Sequence, residues 1–397
     1  MGNRSVTIVG AGPSGLSLAW WLTEAGVPVT VLEQEPELPR DMRASTFHPA
    51  TLDLLAASGI AEELVARGTV VDRWQYLIHT TGETAVFDMA CLNEETAHPY
   101  RLQCEQFQLT GILAERLRKQ PLCQLEFDAT FLSLEQHQNS VAYRYKQGAL
   151  EKSGSADWLL AADGAHSPVR KQLGAAFTGQ AFAKTSITLI LEYPFEDIIP
   201  GLLGVNYVWL PDRHYSLMRL RDTWRFTYSP DQGQEVATAL SDDVARSNIA
   251  RISAKAATTP IRGRNHYTLH QRCMDSFCHG RVVFLGDAAH LNSPAGGMGM
   301  NSGIHDAYSL AQHLIPVLQG ENSVLMDRYN RRRRTVAIEE VQRLSARNYA
   351  RHREVEAGQR KRIWKELQAT VNDPVSHKNF LMEASMIRSL QRERAID

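Results

Sequence analysis

The residues with the clearest chemical potential lie near the start of the chain. Gly10-Ala11-Gly12-Pro13-Ser14-Gly15 spaces three glycines so that a backbone can turn tightly, approach a pyrophosphate and pack a helix close to a sheet. Glu33 lies 18 residues after Gly15, where a carboxylate can accept hydrogen bonds from a ribose diol. An acid there also repels a 2′-phosphate. Two further stretches join glycine to an acid: Asp163-Gly164, and Gly286-Asp287 followed by Pro294-Ala295-Gly296-Gly297-Met298-Gly299-Met300-Asn301.

Regular elements must hold these turns. Val6-Thr7-Ile8-Val9 is a β-branched run of strand length. After the glycines, Leu16, Leu18, Ala19, Leu22 and Ala25 recur at helical spacing, and Gly26 ends the pattern. Val29 to Leu32 reads as a second strand, delivering Glu33 at its end. This order of strand, glycine turn, helix, strand and acid is a dinucleotide-binding unit whose helix N-terminus offers free N–H groups to phosphates. The alternative is a glycine-rich turn that binds nothing. The unit alone does not choose between NAD and FAD. Trp158 to Ala162 and Arg281 to Leu285 are apolar strand-like runs before the other two motifs. Ile304, Ala307, Leu310, Ala311 and Leu314 form one helical face after the last.

Together and in this order, the Gly10 turn, the Asp163-Gly164 segment and the Gly286-Asp287 segment resemble the single-component flavoprotein aromatic hydroxylases, the group that includes p-hydroxybenzoate hydroxylase. The resemblance covers about the first 335 residues and implies FAD as cofactor, with NADH or NADPH as co-substrate. It implies FAD contacts from Gly10, Gly12, Pro13, Ser14, Gly15, Glu33, Arg43, Gln106, Asp163, Gly286, Asp287, Gly297, Gly299, Met300 and Asn301. Asp287 would hold ribityl hydroxyls, and backbone N–H groups near Met300 and Asn301 would meet the flavin O2. His166, His290 and His305 lie near these motifs and read as structural.

The implied fold is α/β (α+β overall). A Rossmann-like FAD-binding domain (1–75, 101–180 and 270–335) carries an inserted antiparallel-sheet substrate domain (76–100 and 181–269) and a C-terminal helical segment (336–397). Gln75 to Ala90 reads as extended, with a turn at Thr81-Gly82. Strands are expected at Ser186–Leu191, Val205–Leu210, Tyr215–Leu220 and Trp224–Tyr228, with turns at Pro211-Asp212 and Asp222-Thr223. Arg219 and Arg225 have the six-residue spacing of two functional arginines in p-hydroxybenzoate hydroxylase, so Arg219 is a candidate carboxylate anchor. Leu217 stands where that family has Ser. Tyr207 and Trp209 are candidate substrate contacts, His48 and Tyr207 are candidate bases, and Pro294 should face the activated oxygen.

The resemblance implies an FAD-dependent monooxygenase that hydroxylates a phenolic or carboxylated aromatic or heteroaromatic molecule through a flavin C4a-hydroperoxide. Only one G-x-G-x-x-G unit is present, so NAD(P)H needs no second dinucleotide fold. The competing readings are a flavin oxidase or dehydrogenase on the same fold and a non-catalytic FAD-binding interaction protein. A flavin halogenase lacks support, since no Trp-x-Trp-x-Ile-Pro stretch is found.

Composition narrows the rest. Hydrophobic residues make up 43% and charged residues 22%, which excludes disordered and collagen-like chains. A net charge of -1 argues against nucleic-acid binding. That neutrality hides a split: residues 328–397 carry 17 Lys and Arg against 9 Asp and Glu, on an acidic body. Arg331 to Arg334 is either a patch for an anionic partner or a surface matched by the body. The five cysteines are sparse and odd in number, and read as reduced thiols without a metal site. The N-terminus lacks a secretory pattern, and Leu16 to Leu22 is too short to span a bilayer. The expectation is a cytoplasmic monomer or homodimer whose partners are a small aromatic substrate and O2, with no nucleic acid and no membrane.

Overall fold

Every residue of the strand Val6–Val9 is buried, as expected of a β-branched run covered on both faces. The computed structural model, which describes residues 4–40, 44–231 and 233–397, places it inside a six-stranded sheet. The order is Cys278–His279, Val282–Phe284, Trp158–Ala161, Val6–Val9, Val29–Leu32, Cys123–Glu126. All neighbours are parallel except the first pair. The helices Pro13–Glu24 and Met298–Gln319 pack against each other beside it. The three chemical motifs therefore leave the C-terminal ends of three adjacent parallel strands, the position where such sheets bind ligands.

A second sheet has eight strands, ordered His290–Leu291, Ile261–Met274, Phe177–Leu191, Trp224–Tyr228, His214–Arg219, Val205–Trp209, Arg73–Ile78, Thr84–Asp88. The turn at Thr81-Gly82 closes the last hairpin. The expectation of an antiparallel sheet needs one correction: Val205–Trp209 pairs with Arg73–Ile78 in parallel. One strand begins well before the expected Ser186–Leu191, and its long partner lies where no strand was expected. Phe177–Leu191 and Ile261–Met274 run side by side from the FAD-domain side into this sheet. Both alternate apolar with polar residues, as in Ser186-Ile187-Thr188-Leu189 and His266-Tyr267-Thr268-Leu269, but Gly179 in one and Gly263 in the other break the pattern into short pieces. The expected boundaries at 75/76, 180/181 and 269/270 all fall inside strands of this sheet.

The C-terminal segment is helical. Val324–Val336 continues through a π-helical turn, Ala337–Gln342, into Arg343–Arg353, and three more helices follow. It packs on the outer hairpin: Leu344, Leu367, Leu381 and Met386 share a core with Trp74, Tyr76 and Phe87. Each guanidinium of the basic run is used within the chain. Arg331 and Arg332 donate to the carbonyls of Asp397 and Ile396 (2.9 and 2.7 Å), and Arg334 to that of Met274 (3.0 Å). Arg333 is fully buried and pairs with Asp306 (2.6 Å) and Glu393 (2.7 Å). The run serves as internal stitching.

Candidate active site

One cavity of about 910 Å³ extends from the glycine turn to the eight-stranded sheet. At one end lie Gly12, Pro13, Ser14 and Glu33. The Glu33 carboxylate accepts from the Ala11 N–H (2.7 Å), which fixes it against the turn. The helix opening at Pro13 has no side-chain cap and no acid in its first turn, and a Cβ on Gly12 would meet nothing within 4 Å. Free N–H groups and open space thus coincide, as a pyrophosphate requires. Gly10 and Gly15 do not line the cavity. A Cβ at Gly10 would strike the Ala162 carbonyl, and one at Gly15 the Gly10 carbonyl, so both permit the close passage of turn, helix and strand.

Asp287, Pro294, Gly296, Gly297, Gly299 and Met300 line the middle. Gly297 caps the helix Met298–Gln319 at φ +68, a left-handed conformation suited to glycine, and this helix too lacks a side-chain cap and an acid in its first turn. Two uncapped helix N-termini and two carboxylates, Glu33 and Asp287, therefore bound one cavity. That set fits FAD: phosphates and an electron-rich ring edge at the helix ends, hydroxyls at the acids. Gln106 lines the same wall, its N–H donating to the Ala44 carbonyl (2.9 Å). Arg43 lies outside the described residues.

Several expected contacts sit just behind the wall. Gly286 packs on Ser14, where a Cβ would come within 2.7 Å of the Ser14 hydroxyl. Asp163 caps a short helix, accepting from the Ser167 hydroxyl (2.8 Å) and Val169 N–H (3.1 Å), while its Oδ1 is buried without a partner. Burial raises its pKa. Asn301 is fully buried. Its side chain accepts from the His48 N–H (3.0 Å) and donates to the carbonyls of Thr46 (2.8 Å) and Gly297 (2.7 Å). His48 Nε2 holds the Gly296 carbonyl (2.8 Å), and burial, then Arg101, lowers its pKa to about 3. It is therefore neutral at pH 7 and donates. His48 does not line the cavity, so the structure gives it a bracing position instead of that of a base facing substrate.

His290 and His305 also brace. Asp306 accepts from His290 Nε2 (2.7 Å), the Gly286 N–H (2.9 Å) and Arg333. Although burial opposes its charge, Arg333 and then His290 hold its pKa well below the usual carboxylate range. His305 Nε2 bonds the Thr51 hydroxyl (2.9 Å), and burial brings its pKa to about 3.

The far side of the cavity is the eight-stranded sheet, with Tyr207 and Trp209 facing it. Arg219 does not reach it. Pairing sets Arg219 opposite Trp224 and Met218 opposite Arg225, so alternation sends Arg219 to the other face. There it pairs with Glu196 (3.3 Å) beside the Trp224 ring. Arg225 lines the cavity, bonding the Ser45 hydroxyl (2.9 Å). The sequence separation of six crosses a hairpin turn, which is why spacing alone misassigned the face.

Sequence reasoning missed Tyr349, His352 and Arg353, at the end of the helix Arg343–Arg353, which complete the cavity wall. The His352 ring stacks on Tyr207 (4.1 Å between centroids) and bonds the Tyr76 hydroxyl (3.0 Å). Burial, then nearby cationic groups, lowers its pKa well below the ordinary value. Burial pushes Tyr76 up to about 12, so it keeps its proton and donates to His352 Nε2. Arg101, buried over the Trp74 ring (4.1 Å), donates to the Tyr207 hydroxyl (3.4 Å). No motif flags these residues; only the folding back of the C-terminal helices brings them in.

Comparison with known proteins fits this geometry. Residues 3–344 match the FAD binding domain family, and the chain belongs to it. It is an FAD-dependent monooxygenase of aromatic compounds. It is 30% identical to para-nitrophenol 4-monooxygenase of Pseudomonas sp. (strain WBC-3), over 99% of this chain and 97% of that one. It is also 30% identical to 6-hydroxy-3-succinoylpyridine 3-monooxygenase of Pseudomonas putida (strain DSM 28022 / S16), over 91% and 92%. The solved p-nitrophenol 4-monooxygenase from Pseudomonas putida DLL-E4 superposes with a TM-score of 0.89 at 29% identity, covering 98% of each chain.

Proposed function

We propose that this enzyme hydroxylates a phenol or hydroxypyridine seated between the Pro294–Gly296 loop and the Tyr207–His352 stack. The observation that carries this is the single cavity, which joins an FAD cradle to an aromatic wall. Glu33, Asp287 and the two free helix ends would hold FAD, with Asp163, Gly286 and Asn301 shaping the walls behind it. When bound, the flavin supplies oxygen activation after reduction by NADH or NADPH.

The chain's own residues do three things in this reading. Tyr207 and His352 align the substrate ring by stacking and edge contact. Pro294, Ala295 and Gly296 close over the reacting face with no polar side chain, which keeps water away. The third contribution is electrostatic: Arg353 lines the ring site, Arg101 stands behind it on the Tyr207 hydroxyl, and Tyr76 behind the wall and His352 on it are neutral. This surplus of positive charge favours the phenolate over the phenol, raising the nucleophilicity of the ring carbon. All five cysteines are free thiols, which suits a reducing compartment.

The test is NAD(P)H consumption by the FAD-loaded enzyme across phenols and hydroxypyridines, with product masses. The expected result is substrate-accelerated consumption and a product carrying one new oxygen. Hydrogen peroxide as the sole product across the whole panel would overturn the proposal.

A further inference from the structure

We infer that the enzyme carries a second subsite, beside the ring site, for a carboxylate-bearing arm of its substrate, and that Arg353 is its anchor. This rests on the proposed hydroxylation reading and adds the substrate class to it. The register of the eight-stranded sheet creates the subsite. Thr188, Thr227, Ser216 and Tyr207 stand directly opposite one another on four successive strands. Two residues along, Ser186, Ser229 and His214 flank this row. Side chains two apart on a strand share a face, so five small hydroxyl residues pave one strip of the cavity floor. On either side the same face carries large groups: Tyr207 and Trp209 on one flank and Tyr267 on the other. The strip is a trough with polar paving.

Its hydroxyls are tied down laterally. Thr188 and Thr227 bond each other (3.0 Å), Ser229 bonds His214 Nε2 (3.2 Å), and Ser186 accepts from Arg353 (3.0 Å). Three inter-strand steps from Tyr207 to the strand of Ser186 span about 14 Å. A lone ring held at Tyr207 and His352 leaves this strip to water, whereas an arm of several atoms covers it.

Arg353 sets the charge of that arm. Its guanidinium lines the cavity half-buried, donates to the neutral acceptors Ser186 Oγ (3.0 Å) and the Thr185 carbonyl (2.9 Å), and lies over the ring of Tyr349, whose neutral hydroxyl it also bonds (4.6 Å to the ring centroid). Among the described residues it has no carboxylate partner, unlike Arg347 two turns back, which pairs with Glu383 (2.9 Å). A partly desolvated cation left with neutral acceptors gains most from an anion, and a guanidinium suits a carboxylate's two oxygens. The ligand class is therefore a hydroxylated aromatic or heteroaromatic ring with a short acid arm.

The experiment uses the FAD-loaded full chain and two probes: 6-hydroxy-3-succinoylpyridine, which has the acid arm, and its primary amide, which lacks the charge. Binding is read from the change in flavin absorbance, and kcat and KM from NAD(P)H consumption. The native enzyme should prefer the acid over the amide. Arg353→Gln should lower that preference by about 10- to 100-fold, chiefly through KM. Arg353→Lys should restore part of it. Equal binding of acid and amide by the native enzyme overturns the subsite, as does an unaltered preference in Arg353→Gln. Either result can coexist with hydroxylation of an arm-free phenol, which would leave the proposed function standing. FAD content of each variant shows that the fold is retained.

Discussion

His48 and His305 should make the enzyme lose stability on mild acidification. Both are buried, and burial holds both near pKa 3 against 6.5 in an unfolded chain. The sign follows from proton uptake. As pH drops below 6.5 the unfolded chain binds protons on these imidazoles and the folded chain does not, so stability is complete above that value and is lost on descent. At pH 5 each histidine costs about 2 kcal/mol relative to neutral pH, or about 4 kcal/mol for the pair. Ordinary carboxylates scarcely titrate in this window. The assay is urea unfolding at pH 7 and pH 5, with FAD in constant excess, on the native chain and on His48→Gln/His305→Gln. Glutamine can keep an amide near each Nε2 and cannot take a proton. The double variant should start less stable at pH 7 yet lose about 4 kcal/mol less on acidification. An identical pH 7 to pH 5 loss in both proteins would refute the assignment of neutral, buried imidazoles. His352, which burial lowers well below the ordinary value, and His79, His313 and His377, also depressed by burial, supply a residual slope in both.

Two other perturbations test the cradle. Asp306→Asn leaves the buried Arg333 with Glu393 alone and puts an amide where Gly286 and His290 need an acceptor; a loss of about 3–5 kcal/mol in urea unfolding is expected, and under 1 kcal/mol would contradict the network. Asp287→Ala should lower FAD occupancy at least tenfold without changing the unfolding midpoint of FAD-free protein; unchanged occupancy would remove Asp287 from the cofactor's hydroxyls.

The parallel-sheet half was legible because its signals are local. Val6–Val9 and Val29–Leu32 are continuous β-branched runs, and Gly12 and Glu33 lie within a few residues of the strands that place them. The substrate half depends on long-range register. The hairpin register sets Met218 and Arg225 on one face and Arg219 and Trp224 on the other, but which face meets the cavity is decided by the distant strands and helices packed around the hairpin. The strands Phe177–Leu191 and Ile261–Met274 were obscured for a related reason. Their alternation of apolar and polar residues is broken by Gly179 and Gly263, so each long strand reads as short pieces.

The basic C-terminal segment shows how a charged run can be matched inside the chain. Its surplus charge left two readings, an external anion or a match within the chain, and Arg331, Arg332 and Arg334 each end on a main-chain oxygen and Arg333 on two buried acids. Carbonyl acceptors are invisible to charge counting, which is why the run looked unmatched. What these contacts secure is the direction of the helix that follows. From Arg333 the chain passes through the π-helical turn, where Gln342 Nε2 clamps the carbonyls of Arg272 and Leu291 (2.9 and 3.0 Å), and reaches His352 and Arg353. Asp306 ties the same Arg333 to the Gly286 turn. One buried arginine thus links the cofactor turn to the helix carrying Tyr349, His352 and Arg353 of the substrate wall, so a charge of the basic run sets the geometry inside.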